Sequence, residues 1–336
     1  MAQLIALFLI VIGLPQALNL ENIILNRANT LSTILSFIID VVVIFLIIEI
    51  ILKRFKNELI FKILEAYIVV LGSGTVFFLL IDSIFSNYIS FLYVLIISFT
   101  LSFSLLIIKS KKRSNFRIRN VTTLVSSIGV GILIGVGFGN VLFLYLLIAA
   151  FAVYDYIAVF VLKFMIPLAK QAMKMDLSFM IVSSDMESVP KKEVSKKERA
   201  AFNKAVKHNK NFSEHLSEVI KRGEVPLLSS IMLGNGDIML PAAVATGSYA
   251  ATANLFLSFL IIVFSGMGVL ATMFILRKYK VGLPAIPPIF SFISLAFAIF
   301  FILEDPSQVF YIIIFLVASV AFMSALLLTL KRKLKK

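Results

Sequence analysis

The chain has 336 residues, of which 60% are hydrophobic and only 15% charged, with a mean hydropathy of +1.02. Soluble domains run at about 45–50% apolar and about 25% charged, so a soluble enzyme on a single anchor, a disordered chain and a fibrous one are excluded. The net charge is +14, with no cysteine and two histidines. That removes disulfides, thiolate nucleophiles and Cys- or His-rich metal sites, and leaves carboxylates, hydroxyls, Lys and Arg to carry any chemistry.

The hydrophobicity falls in runs of about 17–25 residues, the length that crosses a bilayer as a helix. Ten such segments are predicted, at residues 2–18, 31–52, 63–81, 88–108, 120–138, 141–162, 225–248, 252–276, 284–303 and 308–330. The first contains Pro15 but lacks the basic leader and small-residue cleavage site of a signal peptide, so it reads as a span. Every even-numbered segment is followed by a basic stretch. These are Lys53, Arg54, Lys56 and Lys62; then Lys109 to Arg119; then the long connection 163–224; then Arg277, Lys278 and Lys280; and finally the tail from Lys331 to Lys336. The odd-numbered connections carry almost no positive charge. Lys and Arg gather on the cytoplasmic side, so the net charge reports a topology with both termini inside, and no nucleic-acid partner is implied.

Four parts follow from this count: a six-span bundle (1–162), a cytoplasmic loop (163–224), a second membrane part (225–303), and an extra C-terminal span with its basic tail (304–336). In the loop, Phe164 to Lys174 is amphipathic, as in a helix lying at the interface, and Leu177 to Val182 is apolar and β-prone, a candidate short strand. Residues 193–222 are polar and helical in pattern. The loop holds both histidines, His208 and His215; His215 lies beside Glu214 and Glu218 but outside any H-E-x-x-H arrangement, so no metal is expected. In the fifth segment Gly131 and Gly135 form a small-xxx-small helix-packing face, and Gly72, Gly74, Gly266 and Gly268 read as packing residues too.

A carboxylate within a spanning helix is costly and marks a functional site by default. Asp40, Glu49, Asp155 and Asp237 are the candidates. Glu49 lies one turn from Lys53 and reads as an interfacial charge, while Asp40 reads as a packing group or a competitor. Asp155, in AAFAVYDYIAVF, lies about 12 Å inside the cytoplasmic end. Asp237, in SSIMLGNGDIMLPAAVA, sits between Gly234 and Gly236 on one side and Pro241 on the other, in a helix that the glycines and Pro226 interrupt. Two such carboxylates sharing one proton can act as base and acid on a water that attacks a carbonyl. They can equally carry protons or cations across the membrane, as in a secondary transporter or cation channel. The residue chemistry leaves both open.

Tyr154-Asp155, Gly234-Asn235-Gly236-Asp237 and Gly282-Leu283-Pro284-Ala285-Ile286-Pro287, in that order in the sixth, seventh and ninth segments, resemble the YD, GxGD and PAL motifs of the presenilin / signal peptide peptidase family of intramembrane aspartyl proteases. The resemblance covers residues 1–303 and is nearest to the prokaryotic, archaeal presenilin homologues. It implies an all-α, polytopic bundle of nine spans, to which residues 308–330 add a tenth. It also implies Asp155 and Asp237 as the catalytic pair, with Tyr154 adjoining the first. Gly234, Asn235 and Gly236 would shape the helix at the site, and Pro284, Ala285 and Ile286 would abut the aspartates and receive substrate. By the same resemblance, the strand at 177–182 would extend the substrate backbone into a β-ladder. No cofactor, metal or accessory subunit is implied, and the partners are membrane-spanning peptides and the bilayer itself. Asn235 stands where leucine is commonest, at a position tied to substrate choice, and Ile286 replaces leucine in a volume-conserving swap. The internal 163–224 loop is the presenilin arrangement, which points to substrates with an outside N-terminus. A transporter would more often show two similar halves with paired broken helices, and none is visible. A family member kept as a chaperone or scaffold without catalysis is the third reading.

Overall fold

The computed structural model describes residues 3–9, 11, 58–85, 88–111, 116–138, 140–162, 180–190, 224–279, 283–304 and 306–334. After a helical stretch at residues 3–9, four helices follow: α1 (Glu58–Phe85), α2 (Phe91–Lys111), α3 (Phe116–Phe138) and α4 (Val141–Phe160). Two strands come next, β1 (Met180–Pro190) and β2 (Glu224–Gly234), and then α5 (Gly236–Thr252), α6 (Leu255–Tyr279), α7 (Ile286–Glu304) and α8 (Val309–Leu334). Among the described residues seven helices are long and apolar enough to cross a membrane. The remaining one, α5, has 17 residues. Of the ten predicted segments, 31–52 lies outside the described residues and 2–18 is described only at 3–9 and 11.

The expectation for residues 225–248 is corrected. They are not one span: Glu224–Gly234 is strand β2, paired with β1 in a two-stranded sheet, and the helix starts only at Gly236. Pro226 cannot sit in a helix interior without breaking its hydrogen bonds. Gly234 and Gly236 bracket Asn235, so no helix propagates backwards through them. The strand predicted at 177–182 overlaps β1 at 180–182, and β1 continues to Pro190 through the mostly polar SSDMESVP. The predicted interfacial helix at 164–174, His208 and His215 lie outside the described residues. The chain divides into two compact units, residues 1–181 with 234–336, and residues 182–233.

In the first unit α5 is the central helix, packed against α3, α4, α6 and α7, and its residues from Leu240 to Ser248 are buried throughout. A helix apolar on all sides belongs in an interior. Lipid removes the hydrophobic drive between helices, so their association depends on close packing and small residues. A Cβ on Gly131 would lie 2.8 Å from the Met239 carbonyl oxygen, and one on Gly135 would lie 2.5 Å from the Ala243 carbonyl oxygen. Residue numbers rise together on both helices, so α3 and α5 run parallel, as the fifth and seventh segments must if both start from one side. On the other flank, Tyr145 of α4 meets Phe290 and Phe297 of α7 at 5.1 and 5.5 Å and Phe315 of α8 at 4.8 Å between ring centres, while its hydroxyl bonds Ser294 at 2.9 Å.

Outward faces of α2 and α8 expose Phe91, Leu92, Phe103, Phe310, Val317 and Val320. A soluble monomer does not leave so large a continuous apolar surface in water, whereas lipid is its natural solvent. Ser73 and Thr246 are buried hydroxyls satisfied within their own helices, on Val69 O at 2.6 Å and Ala242 O at 2.7 Å, as a medium without water favours. The protein is an integral, multi-pass, predominantly helical membrane protein that also carries a small two-stranded sheet.

Candidate active site

Asp155 is the sixth residue from the end of α4, which stops at Phe160, so it lies about 7–8 Å from the helix end. Its residue is 8% exposed. The Ile286 N–H donates to Asp155 Oδ2 at 3.1 Å, and the Ala285 amide also faces this carboxyl group. The cause lies in the sequence: the first amides of α7 have no helical acceptor, and Pro287 and Pro288 carry no N–H at all. A side-chain oxygen from α4 therefore takes the amide at the start of α7. Pro284 is buried, and Ala285 and Ile286 are half-buried.

Asp237 is the second residue of α5 and the only acid in its first turn. The Gly234 N–H donates to its Oδ2 at 2.9 Å, so the carboxyl reaches back across the GNGD turn. A Cβ on Gly234 would come within 3.2 Å of that oxygen, and the bare backbone is what permits so close an approach. A Cβ on Gly236 would meet nothing within 4 Å; this glycine keeps space open beside Asp237 rather than relieving a contact. Four residues on, Pro241 has no N–H to return to the Asp237 carbonyl. Asn235 is the N-cap yet makes no capping bond to its own helix; its carboxamide pairs with the Ser127 hydroxyl on α3.

The carboxyls of Asp155 and Asp237 are close enough to interact electrostatically. The C-terminal end of α4 and the N-terminal ends of α5 and α7 thus meet, bringing together two aspartates, the GNGD turn and the Pro284–Ile286 turn. Tyr154 is half-buried next to Asp155. Among the described residues there is no group of three or more His, Asp or Glu able to hold a metal ion.

Asp40 and Glu49 lie outside the described residues. Sequence reasoning missed three charged or polar groups. Glu65 lies inside α1, where it forms a buried ion pair with Lys109 at the end of α2, and the two are too far apart in sequence to suggest a pair. Asp82, expected in a connection, is buried within α1, which runs on to Phe85. Ser127 was signalled only by its register, four residues before Gly131 and eight before Gly135 on the face that meets α5.

Among curated proteins none matches the chain at a significant level. A family model described as signal-peptide peptidase, presenilin aspartyl protease matches residues 1–302, a stretch that holds both aspartates, the GNGD turn and the Pro284–Ile286 turn and stops short of α8. By its matched sequence, the chain belongs to the signal-peptide peptidase, presenilin aspartyl protease family.

Proposed function

We infer that this protein is an intramembrane aspartic endopeptidase that hydrolyses peptide bonds of membrane-spanning helical substrates, with Asp155 and Asp237 as the acid–base pair. Family membership supports an intramembrane aspartyl protease in general. The observation that carries the finer reading is the meeting of two carboxyls from different helices, each held by a backbone amide, with Gly234 on Asp237 and Ile286 on Asp155.

Two carboxyls brought together can hold one proton between them. The ionised one takes a proton from water as the water oxygen attacks the scissile carbonyl carbon, and the protonated one gives its proton to the developing oxyanion. The tetrahedral intermediate then collapses, the C–N bond breaks, the amine leaves with a proton, and the pair returns to its starting state. Both an acid and a base are needed, so the rate has an acid limb and a basic limb in its pH profile. A helical substrate hides the bond to be cut, so it must unwind locally first. The amides fixed on the aspartates hold the carboxyls while this happens, and the open space beside Gly236 admits an extended backbone.

The basic connections support a topology with both termini on the cytoplasmic side and substrates whose N-termini lie outside, and the resemblance to prokaryotic homologues supports a prokaryotic cell membrane as the location. The test is cleavage of a labelled spanning peptide by purified protein in lipid vesicles. Asp155→Asn and Asp237→Asn should each abolish cleavage while thermal unfolding in detergent stays close to wild type. Cleavage surviving in either variant overturns the assignment, as does ion flux lost in both variants from a protein that never cleaves.

A further inference from the structure

An asparagine at an N-cap ordinarily turns its side chain onto the amides of its own first turn. Asn235 does not: its backbone is already helical, φ −58° and ψ −38°, and no side-chain bond caps α5. Its carboxamide goes instead to Ser127 on α3. Ser127 is fully buried and also bonds the Thr123 carbonyl at 2.6 Å. A hydroxyl has one proton to give, and here two acceptors share it, Asn235 Oδ1 across the interface and the Thr123 carbonyl within α3. Ser127, Gly131 and Gly135 lie on one stripe of α3, and the latter two meet α5 at backbone distance. Ser127 is therefore the polar first rung of a ladder whose other rungs are bare backbone.

We propose that Ser127 is a positioning residue for the reaction, holding the GNGD turn through Asn235 and so fixing where Asp237 is presented. Asn235 is two residues from Asp237 and adjoins Gly234, whose amide holds the Asp237 carboxyl. Helix α3 contributes no carboxyl to the pair; it contributes the fixed point against which the turn is set. The assignment rests on the proposed protease reading.

The test is a double-mutant cycle of Ser127→Ala and Asn235→Ala, read by kcat and KM on the spanning peptide in vesicles and by thermal unfolding in detergent. Displacing a catalytic group by a fraction of an ångström to one ångström costs about 10- to 100-fold in turnover, so Ser127→Ala should lower kcat by that order with KM little changed. The same change made in the Asn235→Ala background should add almost nothing, because the bond is already gone. A serine that merely supports the fold would give the same loss in both backgrounds, and that result overturns the proposal. So does unchanged kcat in Ser127→Ala. Ser127→Thr keeps the hydroxyl and should restore turnover toward wild type; if it matches the alanine variant in kcat while folding normally, the hydroxyl is not what acts. A wild-type protein without cleavage would instead refute the protease reading, a separate outcome.

Discussion

The α3–α5 contact offers a sharp test of how the fold sets the site. In Gly135→Ala the new methyl carbon would lie 2.5 Å from the Ala243 carbonyl oxygen and 2.8 Å from the Gly247 amide nitrogen, both backbone atoms. Ordinary contact begins at 3.4 Å, so the helices must part by roughly 0.9 Å to regain it. Overpacking of this kind costs about 1–3 kcal/mol, against which alanine's better helix propensity returns only about 0.5–1 kcal/mol. Because α5 carries Asp237, the same movement should also reduce turnover by about 10- to 100-fold. Gly266→Ala on α6 is the matched control, since its methyl would meet nothing within 4 Å and should leave both stability and cleavage at or slightly above wild type. Thermal unfolding in detergent and cleavage of the spanning peptide in vesicles measure the two effects. If Gly135→Ala behaves as Gly266→Ala does in both, the close-packed α3–α5 ladder does not determine the position of Asp237.

Three other expectations concern separate parts of the bundle. Asn140 caps α4, accepting from Leu142 N–H at 2.9 Å and Phe143 N–H at 3.3 Å; Asn140→Ala should cost about 1 kcal/mol and Asn140→Ser much less, by thermal unfolding. Lys109→Met takes the counter-charge from buried Glu65 and should cost about 3–5 kcal/mol, whereas replacing both by apolar residues of similar volume should cost far less. Were the single and double variants equally stable, the pair would not be buried in the sense described. Gly236→Ala fills only open space, so unfolding should be unchanged while KM for the spanning peptide rises by roughly tenfold through the added methyl; an unaltered KM would show that substrate does not pass beside Gly236.

Much of this protein was readable from its residues. The runs of apolar residues had to become membrane helices, because no other open structure satisfies its backbone in lipid. Asp155 and Asp237 stood out because so few acids lie in those runs. Residues 225–248 were misread because VPLLSSIML is apolar enough for a span, and hydropathy does not distinguish a strand from a helix; Pro226 and the two glycines were the signal that decided against a single helix. Glu65 was passed over because its partner Lys109 lies on another helix and was counted as a loop cation.

What the sequence determined by itself was the solvent, the family, and the identity of the two carboxyls, all of which follow from composition and local motif. The tertiary structure decided which amide holds which carboxyl: Gly234 on Asp237 within one turn, and Ile286 on Asp155 across 131 residues. It also decided that Asn235 reaches α3 instead of capping α5. Such pairings depend on the register at which helices pack, and register is set by side-chain volume across the interface, here by the absence of any at Gly131 and Gly135, which no single helix can express alone.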